Sequence, residues 1–342
     1  MPDKVLITGI SGFIAKHIAL KLLKKGYLVR GTLRSMDKAE ETKQTLNKHG
    51  ADISALEFVK TNLLSDDGWD NAVEGCKGIF HVASPFPMKQ PKDKEALVKP
   101  ALEGTLRVLR ASQKAEAERI VITSSMVAMM YEPDRKGEFK VKENDWTDPE
   151  WSKLSAYAVS KTRAELAAWE WAKKNEWKTK LSVVNPGFVL GPTLDGKTNT
   201  SLNVIKLFLK GDYPVVPKVS YSIVDVRDLA VLHIKTFTIP ECGGRRLIGG
   251  ANTLAMVEMA HILRDQFPEF SDNIPTRRLP NILLKILSKF DSRLKSVVQD
   301  IGRVPIAETD YVEELTGISF RSSKEAVIAA AESIIDFNDL GD

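Results

Sequence analysis

The chain has 342 residues, of which 43% are hydrophobic and 27% are charged, and this composition predicts a globular protein with a sizeable core. Its 49 basic and 45 acidic residues are spread along the sequence, so nucleic acid is not expected as a partner. The two cysteines, Cys76 and Cys242, form no CxxC pair and the histidines show no HxxxH spacing, so we expect no metal site.

Short β-rich runs alternate with longer helical patterns, as in βαβ units that build a parallel sheet. Six strands are predicted, at Lys4 to Thr8, Tyr27 to Thr32, Leu56 to Lys60, Gly78 to Val82, Arg119 to Thr123 and Lys180 to Val184. Helices are predicted at Phe13 to Lys25, Asp37 to His49, Lys94 to Ala115 and Ala156 to Lys174. The pattern predicts the α/β class, with a Rossmann-type doubly wound parallel sheet.

The first predicted strand leads into the turn Thr8-Gly9-Ile10-Ser11-Gly12-Phe13-Ile14-Ala15, which opens a helix. Glycines at this spacing permit a tight turn and let backbone N–H groups approach a pyrophosphate, and a helix N-terminus favours an anion. Because an apolar strand precedes the turn and an amphipathic helix follows it, we predict a dinucleotide site rather than an ordinary turn. Its first candidate residues are Thr8, Gly9, Ser11 and Gly12.

The end of the second strand distinguishes two dinucleotides. An acidic residue there binds the ribose 2′-hydroxyl of NAD, whereas a basic residue binds the 2′-phosphate of NADP. The chain has Arg34 and Ser35, a planar guanidinium followed by a hydroxyl. These residues favour NADP(H) as the cofactor. The alternative is that Arg34 is a solvated surface side chain.

Tyr157 and Lys161 lie four residues apart on a predicted helix, a spacing that places both side chains on one face. A tyrosine has a pKa near ~10 and exchanges protons poorly at neutral pH unless a cation stabilises its phenolate, and Lys161 would supply that cation. The fifth strand ends at Ser124 and Ser125, and we choose Ser125 as the hydroxyl for a substrate carbonyl, with Ser124 as the alternative. An exposed Tyr/Lys pair and a serine that merely caps a turn are the alternatives without chemistry.

After Val184 the regular alternation fades into a stretch rich in Gly, Pro and Asn. We therefore expect residues 1–184 to form the dinucleotide-binding core and residues 185–342 to form mainly a smaller substrate-binding region, interleaved with the last sheet strands. The amphipathic segment from Leu279 to Gly302 fits a helix packed on the core, with contact to a membrane surface as the alternative. No apolar run approaches the length of a membrane span, and the two cysteines without a CxxC pair fit a reducing compartment, so we expect a cytoplasmic protein.

Five motifs at these positions resemble the extended short-chain dehydrogenase/reductase superfamily: TGISGFIA from Thr8, GTLR from Gly31, FHVASP from Phe80, ITSS from Ile122 and YAVSK from Tyr157. Together with VNPGFVLGP from Val184, their order resembles the dihydroflavonol-4-reductase-like branch. That branch includes cinnamoyl-CoA reductases and microbial aldehyde and ketone reductases. The resemblance implies NADPH-dependent transfer of hydride to an aldehyde or ketone.

The resemblance also implies roles for single residues. Ser125 would polarise the carbonyl, Tyr157 would donate the proton, and Lys161 would bind the ribose and tune Tyr157. The implied cofactor contacts are Phe13 and Ile14 at the pyrophosphate, Arg34 at the 2′-phosphate, Asn62 and Leu63 near the adenine, Val82, Ala83 and Ser84 beside the nicotinamide, Pro186, Gly187 and Val189 at its amide, and Thr200 and Ser201 on the opposite wall. The family usually has Asp-Leu where this chain has Asn62-Leu63.

Two departures from the branch concern the substrate. Plant dihydroflavonol reductases carry a polar residue five positions after the catalytic serine, and Met130 stands there in this chain. Cinnamoyl-CoA reductases keep a Trp-Tyr-Cys-Tyr-Gly-Lys catalytic segment, which this chain lacks. Both specific substrates are therefore disfavoured. Met126, Met129 and Met130 indicate either an apolar pocket or core filling.

The prediction is therefore an enzyme, acting as a monomer or homodimer, that binds NADP and a small carbonyl compound. One alternative is an NAD-dependent nucleotide-sugar epimerase or dehydratase, which shares the fold and the Tyr/Lys pair. Another is a regulator that senses NADP without chemistry. Arg34 counts against the first alternative, and the intact Tyr157 and Lys161 pair counts against the second.

Overall fold

Strands and helices alternate along the chain, which is described by a computed structural model over residues 2–84, 93–212, 215–288 and 297–337. In chain order the strands are β1 Lys4–Ile7, β2 Leu28–Leu33, β3 Leu56–Lys60, β4 Gly78–His81, β5 Arg119–Thr123, β6 Gly137–Val141, β7 Leu181–Pro186, β8 Phe188–Leu190, β9 Val216–Pro217, β10 Ser220–Asp225, β11 Arg246–Gly249, β12 Thr253–Ala255, β13 Arg278–Leu279 and β14 Arg303–Ala307. The helices are α1 Phe13–Lys24, α2 Ala39–Lys48, α3 Trp69–Val73, α4 Glu95–Lys114, α5 Ala156–Lys174, α6 Thr200–Lys210, α7 Val226–Thr238, α8 Met256–Gln266, α9 Asn281–Leu287, α10 Asp310–Thr316 and α11 Ser323–Asp336.

The largest sheet has seven strands in the order β11-β7-β5-β4-β1-β2-β3, and every pair in it is parallel. The six predicted strands are all present, with small shifts at their ends. The predicted α/β fold with a doubly wound parallel sheet is therefore confirmed. The seventh strand, β11, was not predicted individually; it comes from the second half of the chain and pairs with β7.

Helices cover both faces of this sheet because successive strand residues point to opposite sides. In β1, Val5 and Ile7 belong to the core beneath α1 and α7, whereas Leu6 belongs to the core beneath α4 and α5. In β5, Val121 faces the first core and Ile120 the second. Burial on both faces explains why these strands are nearly unbroken apolar runs.

A second set of elements follows β7. A three-stranded sheet in the order β12-β10-β8 packs with α6, α8 and α11 around a separate buried cluster that includes Phe208, Met259 and Val327. Two short strand pairs, β9 with β13 and β6 with β14, complete the sheets of the described chain. In this arrangement β8 begins two residues after β7 ends, so the carboxyl end of β7 borders both sheets.

The predicted helices are present, with two differences. The segment from Asp37 to His49 begins with a short 3-10 turn, Met36–Lys38, before α2, because the Ser35 side chain caps that turn. In the segment from Leu279 to Gly302, α9 buries Leu284 but leaves Ile282 72% exposed. Only part of this helix therefore packs closely on the core.

The basic residues of that segment at positions 289, 293 and 295 lie outside the described residues. Within the part of the chain that the structure covers, no helix combines the length and apolar character needed to cross a membrane.

The loop after β8 is fastened to α1 and to the end of α2 by partly buried polar contacts. The Lys16 ammonium pairs with the Asp195 carboxylate, and both side chains are largely buried. His17 Nε2 donates to the Pro192 carbonyl over 2.9 Å, and His49 Nε2 donates to the Leu194 carbonyl over 2.9 Å. These bonds fix the loop beside the helix that the glycine turn opens.

We expect Asp195→Asn to lower the free energy of unfolding by about 3–5 kcal/mol, because it leaves the buried Lys16 ammonium without its counter-charge while keeping the side-chain shape. Glu41→Gln is the matched control, since it breaks the exposed pair between Glu41 of α2 and Lys197 of the same loop and should change stability by less than about 1 kcal/mol. Urea unfolding of both variants measures the difference. Equal effects of the two substitutions would contradict the stabilising role of the buried Lys16–Asp195 pair.

Candidate active site

The turn after β1 is shaped for a ligand with negative charge. Gly9 has φ +65°, and a Cβ there would lie 3.0 Å from the Ala83 Cβ, so only glycine fits the turn without strain. Gly12 is the N-cap of α1 and no side chain caps the helix. The first amides of the helix, including those of Phe13 and Ile14, therefore remain available to an anion.

A threonine hydroxyl joins this turn to the end of β4. Thr8 Oγ1 accepts hydrogen bonds from the amides of Val82 and Ala83 over 3.0 and 2.9 Å, and it donates to His81 Nδ1 over 3.0 Å. The opposite ring nitrogen, Nε2, is 3.4 Å from the Thr105 hydroxyl. Burial lowers the pKa of His81 to about 3, so the ring links these elements in its neutral form.

The predicted adenosine-binding residues lie at the carboxyl ends of β2 and β3. Arg34 is exposed there, while the Ser35 hydroxyl donates to the Asp37 carboxylate over 2.7 Å. Asn62 is also exposed, and its side-chain oxygen accepts the Leu64 amide over 3.1 Å. Leu63 packs on the buried cluster beneath α4. Arg34 is thus a surface side chain at the end of β2, as both interpretations of it require.

The structure brings the three predicted catalytic residues together. The Ser125 hydroxyl bonds with the hydroxyl of Tyr157, and it also caps the short 3-10 turn Met126–Ala128 by accepting the Val127 amide over 3.3 Å. Lys161 Nζ donates to the Thr123 carbonyl over 2.9 Å. Helix α5 therefore presents Tyr157 and Lys161 to the carboxyl end of β5.

Burial sets the protonation of this pair. It raises the pKa of Tyr157 to about 12, with the Ser125 hydrogen bond acting in the opposite direction, and it lowers the pKa of Lys161 to about 8. The sequence led us to expect a phenolate stabilised by Lys161; in the structure, burial instead raises the pKa of Tyr157 above its usual value. At neutral pH Tyr157 therefore holds its proton and Lys161 is largely an ammonium.

The region after β7 borders the same edge of the sheet. Gly187 donates its amide to the Gly249 carbonyl over 2.8 Å, and a Cβ on Gly187 would lie 2.2 Å from the Ser222 carbonyl oxygen. This close approach explains the glycine between Pro186 at the end of β7 and Val189 in β8. Further along the chain, Thr200 opens α6, and the Ser201 hydroxyl donates to its N-cap residue Asn199 over 3.0 Å.

The methionines after Ser125 fill the interior. Met126, Met129 and Met130 are at most 7% exposed and pack in one cluster with Tyr131 and neighbouring residues. Of the two interpretations of these methionines, core filling agrees with the structure. The predicted motif FHVASP is described only as far as Ser84, which is half-buried; its last residue and the aromatic residue at position 86 lie outside the described residues.

A buried polar group behind the predicted catalytic residues was not predicted from the sequence. Asn185 and Arg246 both donate hydrogen bonds to the Glu165 carboxylate there, and Asn185 also donates to the Ser125 backbone carbonyl. The position of Glu165, four residues after Lys161, was the one signal available in the sequence. Among the described residues, no group of three or more His, Cys, Asp or Glu side chains is arranged to hold a metal ion.

The chain is similar to one protein family and to named reductases of plants. Residues 5–245 match the model of the NAD dependent epimerase/dehydratase family. The chain is 37% identical to cinnamoyl-CoA reductase 1 of Petunia hybrida over 80% of this chain and 79% of that protein. It is 33% identical to a bifunctional dihydroflavonol 4-reductase/flavanone 4-reductase of Malus domestica, over 80% and 79% of the two chains.

A solved structure is similar over nearly the full length of both chains. The yeast methylglyoxal/isovaleraldehyde reductase Gre2, crystallised with NADPH, superposes with a TM-score of 0.81 at 28% identity and covers 99% of this chain and 100% of its own. The likeness therefore includes the sheet, the glycine turn and the helix that carries Tyr157 and Lys161.

Stability should depend on pH through a buried histidine behind this site. His233 Nδ1 donates to the Leu229 carbonyl over 2.8 Å and its Nε2 accepts the Thr123 hydroxyl over 2.8 Å. Burial lowers its pKa from 6.5 to about 4. As the pH falls through this window the unfolded chain takes up a proton before the folded protein does, so stability is lost on acidification.

Between about pH 7.5 and 5.5 this histidine should cost about 1.4 kcal/mol of unfolding free energy. His233→Gln removes the titrating group. Over the same pH range, the unfolding free energy of this variant should therefore fall by about 1.4 kcal/mol less than that of the wild type. The exposed His261→Gln is the control and should follow the wild type. Urea unfolding at the two pH values provides the comparison, and parallel curves for all three proteins would contradict the prediction.

Proposed function

The chain belongs to the NAD dependent epimerase/dehydratase family, among the extended short-chain dehydrogenases/reductases, and we propose that it reduces aldehydes or ketones with NADPH. Its relatives are named reductases, and the yeast and Candida albicans structures that resemble it hold NADPH; the protein is an NADP-dependent oxidoreductase. The hydrogen bond between the Ser125 and Tyr157 hydroxyls, one helical turn from Lys161, carries the finer proposal.

The residues at the sheet edge fit this cofactor. The uncapped N-terminus of α1 offers backbone amides to a pyrophosphate, and the close packing of Gly9 against Ala83 holds the turn beside them. Arg34 is exposed at the end of β2, where its guanidinium can pair with a 2′-phosphate. This cation supports NADPH over NADH and counts against an epimerase that retains NAD.

When bound, NADPH supplies the hydride that adds to the carbonyl carbon. The chain supplies the proton: Tyr157, which burial keeps protonated, donates it to the carbonyl oxygen. Ser125 donates a hydrogen bond to the same oxygen as negative charge develops there. The product is an alcohol, and the Tyr157 phenolate that is left is stabilised by the Lys161 ammonium on the same helix face.

The substrate class follows from this proton chemistry and not from a defined pocket. A hydroxyl pair that donates to one oxygen suits an aldehyde or a ketone. The likeness to a methylglyoxal/isovaleraldehyde reductase supports small carbonyl compounds. Met130, which is 7% exposed and packed in the interior, offers no hydrogen-bonding side chain for a polar aromatic ring.

Tyr157→Phe should lower kcat for NADPH-dependent reduction of an aldehyde panel by about 10²–10⁴-fold, because it removes the proton donor and little else. The affinity for NADPH, measured by fluorescence titration, should stay close to that of the wild type. Tyr27→Phe is the matched control, because Tyr27 precedes β2 at the opposite edge of the sheet. Turnover by Tyr157→Phe at the wild-type rate would show that the proton comes from another group.

A further inference from the structure

A buried carboxylate lies directly behind the catalytic residues. Glu165 follows Lys161 by one helical turn and Tyr157 by two, so the three side chains share a face of α5. Only 2% of Glu165 is exposed. Because an unpaired charge is costly to bury, a carboxylate at this depth requires bonded partners.

Arg246, the first residue of β11, supplies the counter-charge. Its Nε donates to Glu165 Oε1 over 2.6 Å, and its Nη1 donates to the carbonyls of Glu143 and Asp145 over 2.9 and 2.5 Å. The guanidinium also stacks on Trp146, with its Cζ 3.7 Å from the ring centroid. The arginine is thus held on several sides and fixes one oxygen of the carboxylate.

The other oxygen of Glu165 is linked to the catalytic serine through Asn185. The Asn185 side-chain amide donates to Glu165 Oε2 over 2.8 Å and to the Ser125 backbone carbonyl over 3.3 Å. Asn185 is completely buried near the end of β7. One amide group therefore connects the carboxylate to the backbone that carries the Ser125 hydroxyl.

We propose that Glu165, held by Arg246 and acting through Asn185, is a positioning residue that keeps the Ser125 hydroxyl opposite Tyr157. Each link is a hydrogen bond between buried groups, and the carboxylate contacts neither hydroxyl itself. The inference rests on the proposed reductase function, since Ser125 and Tyr157 carry out its proton chemistry.

The same carboxylate acts on the charge of Lys161. Burial lowers the pKa of Lys161, and the negative charge of Glu165 opposes that shift. Apart from Glu165 and its partner Arg246, the groups beside Lys161 are neutral at pH 7: Tyr157 on α5, His81 from β4 and the Thr123 carbonyl from β5. Without the charge of Glu165, Lys161 should lose its proton at a lower pH.

Two variants test separately the hydrogen-bond link through Asn185 and the charge of Glu165. Asn185→Ala cuts the connection to Ser125 and keeps the ion pair, and it should lower kcat about 10–100-fold while KM for the carbonyl and the affinity for NADPH change little. Glu165→Gln combined with Arg246→Met removes both charges without leaving one buried alone. In this double variant, the alkaline limb of the kcat profile should lie at a lower pH than in the wild type, because Lys161 loses its proton earlier.

Glu170→Gln, an exposed carboxylate on the same helix, is the matched control and should retain wild-type kinetics. Wild-type kcat in Asn185→Ala, or a loss of kcat that is matched by equal losses of NADPH affinity and thermal stability, would overturn the inference. An unchanged pH profile in the double variant would overturn its electrostatic part. If the wild type reduces no carbonyl with NADPH, the proposed function fails, and this inference fails with it.

Discussion

The parallel pairing of the seven-stranded sheet is the constraint on which the site depends. Because every strand runs in the same direction, the residues that follow β1, β2, β4, β5 and β7 emerge at one edge. The glycine turn, Arg34, the Val82 to Ser84 segment and Ser125 are distant in sequence, and this pairing makes them neighbours. Helix α5 then covers the sheet with Tyr157 and Lys161 directed at that edge.

Hydrogen bonds between strand ends give the edge a fixed geometry. The Thr8 hydroxyl joins β1 to the residues after β4, and the Lys161 ammonium joins α5 to β5. Most of these groups are buried, so burial governs their charge: His81 stays neutral and Tyr157 keeps its proton. The Glu165 and Arg246 pair places opposite charges behind the site without exposing either of them.

Much of this arrangement could be predicted from the sequence because its signals are local. Nearly unbroken apolar runs identified β1 and β5, and a spacing of four residues placed Tyr157 and Lys161 on one helix face. Strand β11 could not be predicted in the same way, because its sequence Arg-Leu-Ile-Gly is not an apolar run and its place in the sheet is set by pairing with β7.

Long-range polar contacts likewise could not be predicted from local sequence patterns. Glu165 and Arg246 are 81 residues apart in sequence, and Lys16 and Asp195 are 179 apart. The raised pKa of Tyr157 also could not be inferred from spacing, because it results from tertiary burial. Local patterns identified the catalytic candidates, whereas the contacts that position them became visible only in the fold.

Transfer of hydride from NADPH to a carbonyl carbon can be tested directly with a deuterium label. Wild-type protein would be incubated with NADPH deuterated on the transferable position of the nicotinamide C4 and a panel of aldehydes and ketones, and the products analysed by mass spectrometry. We expect an alcohol with one deuterium on the former carbonyl carbon. Tight NADPH binding with no deuterium transferred to any member of a broad panel would contradict this expectation and favour a protein that binds the cofactor without reducing carbonyl compounds.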